Sequence, residues 1–100
     1  MIIVIAEAHA TPEAADDLAT LLATTAGASR TDHGCLDYRF TRDTEDPTAF
    51  YSIEMWETKA DLDGHMGQPH TQTLLGSLDG KLTAAPVIMV HEVSGSAPYA

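Results

Sequence analysis

The run FYSIEMWE, Phe50 to Glu57, constrains the fold more than any other segment. It alternates as a strand does, yet both faces carry large apolar groups. Tyr51, Ile53 and Met55 share one side; Phe50, Ser52, Glu54 and Trp56 share the other. A strand with one wet face would show a clean polar alternation, so this one needs cover on both sides. The chain opens in the same way. Ile2, Ile3, Val4 and Ile5 are consecutive β-branched residues, the pattern of a strand buried on both faces at its start.

The segments between these strands fix the topology. Thr11-Pro12-Glu13 is a helix start, with Thr11 as N-cap and Pro12 in the first turn. Ala14, Leu18, Leu21, Leu22 and Thr25 then recur at helical spacing, and the helix is expected to stop between Gly27 and Arg30. Asp32-His33-Gly34 is a turn. Cys35 to Thr41 alternates, with Leu36, Tyr38 and Phe40 on one face and Cys35, Asp37 and Arg39 on the other. Asp43 to Thr48 is a hairpin loop. Thr58-Lys59-Ala60-Asp61 is a capping pattern that opens a helix carrying Leu62, His65 and Met66. Gly67-Gln68-Pro69 interrupts it, and helical spacing resumes through Thr73, Leu74, Leu78 and Leu82. Ala85 to Val93 is a last strand. The order strand, helix, strand, strand, helix, strand predicts an α+β, ferredoxin-like βαββαβ domain with an antiparallel sheet. It spans residues 1–94, with a tail over 95–100. Helices then cover one sheet face only, so the second apolar face is expected to pair with another copy in a homodimer.

Composition excludes several functions. Fifteen Asp and Glu stand against five Lys and Arg, a formal net charge of −10. That leaves no basic stripe for nucleic acid and nothing to attract an anionic membrane. No apolar run is long enough to span a bilayer, and Met1–Ala6 is too short for a signal peptide, so a cytoplasmic location is expected. The single cysteine, Cys35, forms no intramolecular disulfide and builds no metal site alone. Its position at a strand start fits a small buried hydrophobe. No nucleotide fingerprint, P-loop, nucleophile elbow or helical zinc motif is present.

The chemistry-bearing candidates are few. His65 is the natural general base, because imidazole exchanges protons near neutrality. Glu54 shares a strand face with Trp56 and could accept a proton, orient a histidine or pair with Arg39. Trp56 could form an aromatic wall or serve as a core anchor. Tyr38 and Tyr51 could bond a substrate oxygen, or simply pack. Met66 and His70 sit on the interrupted helix beside His65. His70 follows His65 by five residues, a spacing that does not put both on one helical face as in a helical zinc pair, so a metal site from His65, His70 and a carboxylate is the weaker alternative. His9, His33 and His91 fit strand-end and turn positions.

An ordered set of these residues resembles a known family. Ser29-Arg30, Gly34-Cys35-Leu36-Asp37-Tyr38, Phe50, Glu54-Met55-Trp56-Glu57, Leu62 and His65 are similar to the antibiotic biosynthesis monooxygenase (ABM) domain family, which includes small quinol monooxygenases. The resemblance runs from about Ile2 to Val90. It implies a dimeric α+β barrel. It also implies a monooxygenase that oxidises a small aromatic, phenolic or quinol-like substrate with O2 and needs no cofactor or metal. His65 and Glu54 would be its catalytic groups; Trp56, Tyr38, Tyr51, Met66 and His70 would surround the substrate. A haem-degrading branch looks dependent on an Asn in its first strand. Here that region reads Ala6-Glu7-Ala8 and the chain has no Asn, which disfavours haem degradation. The remaining alternative is a non-catalytic dimeric module that binds a small ligand or serves a stress response.

Overall fold

Four strands form one antiparallel sheet in the computed structural model, which describes all residues from 1 to 100. They are β1 (Ile2–His9), β2 (Cys35–Arg42), β3 (Ala49–Trp56) and β4 (Val87–Glu92), in the spatial order β2-β3-β1-β4. The first and third strands thus hold the middle, as the split βαβ pattern predicts. Three helices, α1 (Ala15–Ser29), α2 (Lys59–Met66) and α3 (Pro69–Ser77), complete the α+β ferredoxin-like fold. No helix is long and apolar enough to cross a membrane.

Register decides which residues meet beneath the helices. One inner row is Tyr38, Glu54, Val4, Val90; the next is Phe40, Ser52, Ala6, Ile88. Directly paired residues share a face, so Ile53, Ile5 and Met89 form a row on the opposite face. The inner face packs in two clusters. Ile2, Val4, Ala26, Tyr38, Trp56 and Leu62 form one; Ala10, Ala15, Leu18, Leu22, Phe50 and Leu74 form the other. Between them the sheet offers only small residues, Ala6, Ala8 and Ser52, and a cleft is left there. β4 lies beyond the helical cover, and all six of its residues are exposed.

Local chemistry sets the helix ends. A 3-10 turn, Pro12–Ala14, precedes α1, and Thr11 makes no side-chain cap bond. The Thr58 cap forms as expected: its hydroxyl oxygen accepts from the Asp61 backbone N–H at 3.1 Å and donates to the Asp61 carboxylate at 2.9 Å. Pro69 clashes with a helical residue before it. Gln68 is accordingly extended, at φ −67° and ψ 146°, and α2 and α3 are separate helices. The second stretch is shorter than its periodicity suggests. α3 ends at Ser77, and Leu82 lies in a bridge to Ala10.

One face assignment in β2 is corrected by a bulge. Cys35 pairs with Trp56 and Asp37 with Met55, so Leu36 is the extra residue. A bulged strand shifts its alternation by one. Cys35 therefore packs inward with Tyr38 and Phe40, and Leu36 is 51 % exposed. Burial, then the negative charges of Asp32, Glu54 and Asp37, raise the Cys35 thiol pKa above its ordinary value, against the pull of Arg30.

Two outcomes follow from this packing. Leu18 is fully buried between α1 and the sheet, so Leu18→Ala should cost about 2–5 kcal/mol in denaturant unfolding. Because the thiolate is the reactive form, Cys35 in the native protein should react with a thiol reagent at neutral pH more slowly than in the unfolded chain. Native and unfolded rates that match would contradict the buried placement.

Candidate active site

The cleft between the two core clusters has a volume of about 100 Å³ and mostly apolar walls. Leu18, Leu22, Phe40, Leu74 and Met66 supply much of that lining. Polar groups gather at one end, where Tyr38, Ser52, Glu54, His65 and Thr71 reach it from β2, β3, α2 and α3.

His65 is the best-held of them. Its side chain is only 2 % exposed, and its Nδ1 lies 2.7 Å from Asp32 Oδ2. Thr71 Oγ1 lies 3.4 Å from the same nitrogen. An ionised carboxylate only accepts hydrogen bonds, so in the neutral ring this contact puts the proton on Nδ1 and the lone pair on Nε2. Nε2 bonds no protein group. The ring is also stacked: its centroid is 4.7 Å from that of Trp56 at 35°, and 5.2 Å from that of Tyr38.

Asp32 also bonds His70, whose Nε2 is 2.9 Å from the same Oδ2. The expectation that the five-residue spacing keeps the two histidines apart is overturned. The α2–α3 break turns the chain so that both imidazoles converge on one buried carboxylate. Asp32 is the residue that sequence reasoning missed. It sits in the turn between α1 and β2, where its N–H donates to Ser29 O at 3.0 Å and its carbonyl accepts from Cys35 N at 3.1 Å. An acid just before an inward-facing strand start is the only local signal, and it is a weak one.

Glu54 makes neither of the two pairings expected of it. Its oxygens accept from Ser52 Oγ at 2.7 Å and Trp56 Nε1 at 3.1 Å. It bonds neither His65 nor Arg39, because Arg39 pairs with Asp37 instead. Trp56 has no exposed surface and is not a wall of the cleft. It lies behind His65 as a floor, with its N–H satisfied by Glu54. Tyr38 borders the cleft. Burial, then the charge of Glu54, pushes its phenol far above the ordinary tyrosine range, against a smaller pull from the Ser29 hydroxyl. Its O–H is therefore a donor at any physiological pH. Tyr51 touches the cleft, but its hydroxyl donates to Glu7 Oε1 at 2.8 Å on the opposite sheet face. Met66 lines the cleft as expected, whereas His70 reaches it only through Asp32.

This arrangement can accept one proton at His65 Nε2, donate one hydrogen bond from Tyr38 and hold an apolar ring beside them. Comparison with known proteins places the fold in a family. The family model described as antibiotic biosynthesis monooxygenase matches residues 1–75. Among curated proteins nothing matches. A crystal structure named antibiotic biosynthesis monooxygenase is 27 % identical, with a TM-score of 0.88 over 95 % of this chain and 100 % of that one. A Deinococcus radiodurans protein assigned the same name provisionally is 25 % identical, with a TM-score of 0.91 over 98 % of this chain and 97 % of its own. A Pseudomonas aeruginosa protein is 27 % identical, with a TM-score of 0.82 over 96 % of this chain and 94 % of its own. With the family model covering three quarters of its length, the chain belongs to the antibiotic biosynthesis monooxygenase family.

Proposed function

We propose that this protein is a cofactor-independent monooxygenase that oxidises a small phenolic, quinol-like or enolisable aromatic substrate with O2. The observation that carries this reading is His65 at the polar end of an apolar cleft, with Nδ1 held by Asp32 and Nε2 free of protein partners. The substrate is its own reductant. His65 Nε2 takes the proton of a ring hydroxyl or enol, and the resulting anion passes an electron to O2. In the net change the ring carbon that bears two hydrogens in the substrate's keto tautomer becomes C=O. One oxygen atom enters the product, and the other leaves as water together with the protons. Tyr38 O–H steadies the developing oxyanion. The apolar walls keep bulk water from the reacting carbon. Asp32 and Trp56 position these groups from outside the cleft, and Glu54, held by Ser52 and Trp56, adds a polar edge to it.

The cleft volume of about 100 Å³ favours one small ring system. It lies well below the ~300–1,000 Å³ of pockets for larger ligands, which, with the missing Asn, weighs against haem. A second reading is non-catalytic binding of a small apolar ligand. It is favoured by the mostly apolar lining of the cleft.

The working unit in this proposal is a homodimer. On the face away from the helices, Ile5, Ile53 and Met89 form a cross-strand row, each more than a third exposed. Burying that row against its copy would remove apolar area from water, as in other two-fold assemblies. Light scattering should give about twice the 10.7 kDa chain mass, and Ile53→Asp should shift the protein to the monomer. A monomeric wild type would overturn the dimer.

For the activity, O2 uptake should be measured with hydroquinones and dihydroxynaphthalenes. His65→Ala should lower the enzyme-dependent rate by about 10²-fold or more. Ligand binding without uptake, indifferent to His65→Ala, would replace the oxygenase by the binding module.

A further inference from the structure

We infer that Asp32, His65 and His70 form a binding site for one divalent transition-metal ion, on the side of His65 away from the cleft. The three ligand atoms all lie within 4.8 Å of one another. They come from three separate segments: the turn before β2, the end of α2 and the start of α3. Coordination bonds of about 2.0–2.2 Å need donor atoms roughly 3 Å apart. Nδ1 and Nε2 now stand 2.7 and 2.9 Å from Oδ2, so a small outward movement would seat an ion.

The charge on Asp32 supplies the second argument. Its side chain is 6 % exposed, and a buried carboxylate ordinarily has a cationic partner. All five Lys and Arg side chains are engaged elsewhere. Arg30 donates to Tyr38 O, Arg42 to Pro47 O and Asp16, and Lys81 to Ser77 O; Arg39 pairs with Asp37 and Lys59 with Asp63. Only imidazoles face Asp32, and two imidazoles with one carboxylate are the donor set that first-row divalent ions prefer. His70 is 23 % exposed, which opens the site to solvent for ion exchange and for a water ligand. The formal charge of −10 also concentrates cations at the surface.

Binding needs no net proton loss from the neutral rings. Each imidazole gives its lone pair to the ion at the nitrogen facing Asp32 and carries its proton on the other nitrogen. For His65 that other nitrogen is Nε2, so, on the proposed reading of the cleft, a bound ion would remove the proton acceptor. The site would then act as a metal-sensitive brake rather than as a cofactor site.

The test is a calorimetric titration of the chelator-treated, dialysed full chain with zinc chloride, repeated with Co2+ by visible absorption. No substrate is present, so the result does not depend on the oxygenase reading. One ion per chain with a dissociation constant of about 10 μM or tighter is expected. His70→Gln and Asp32→Asn, checked for folding by circular dichroism, should each weaken binding by more than about tenfold. His9→Gln, on the outer sheet face, should leave binding unchanged. Absence of one-to-one uptake at millimolar zinc would overturn the site, as would uptake that survives both His70→Gln and Asp32→Asn.

Discussion

The contact between His65 and Asp32 fastens three segments of the chain to one another. It ties the turn after α1 to the end of α2, and through His70 to the start of α3. Both oxygen-facing nitrogens converge on one atom, so the positions of three segments are fixed by one carboxylate. Buried polar groups of this kind are stable only when satisfied, and they then specify geometry more sharply than apolar packing does. The Trp56 ring beneath His65 adds a second restraint, in plane rather than in direction. Trp56 is in turn held by Glu54, and Glu54 by Ser52. The polar end of the cleft is thus two bonded sets, Ser52–Glu54–Trp56 and His70–Asp32–His65, joined by the stacking of His65 on Trp56.

Much of the fold was legible because it rests on local periodicity. The β3 alternation, the Thr58 cap and the order of elements each need only neighbours in sequence, and each survives in the structure. Leu36 was not legible. A bulge depends on the partner strand, and nothing in Cys35-Leu36-Asp37 announces it. The site was read only in part for the same reason. His65 stands out by residue type, but Asp32 is one of 15 acids and is distinguished only by where the turn puts it. Residue type alone leaves Tyr51 and Trp56 open as cleft or packing groups, because aromatic residues on a strand all look available. Register sends the Tyr51 hydroxyl to Glu7, and packing seals Trp56 entirely.

The cleft itself has a simple origin. β1 turns Val4, Ala6 and Ala8 toward the helices, and β3 turns Ser52 toward the same place. Large side chains hold the helices off the sheet at either end, at Trp56 and Phe50, while the small ones between leave the gap. Space, rather than any special motif, distinguishes this stretch of β1 from its continuous β-branched start.

The break between α2 and α3 bears on how such a chain can vary. Pro69 and the extended Gln68 set the angle at which α3 leaves, and that angle brings His70 within reach of Asp32. Each residue of a helix advances it by about 100°. Gaining or losing one residue between Met66 and Thr71 would therefore turn His70 out of line with Asp32, together with the face of α3 that carries Leu74. At this link the length of the connection carries the information, and descendants of this chain would tolerate exchanges of side chain there far better than a change in count.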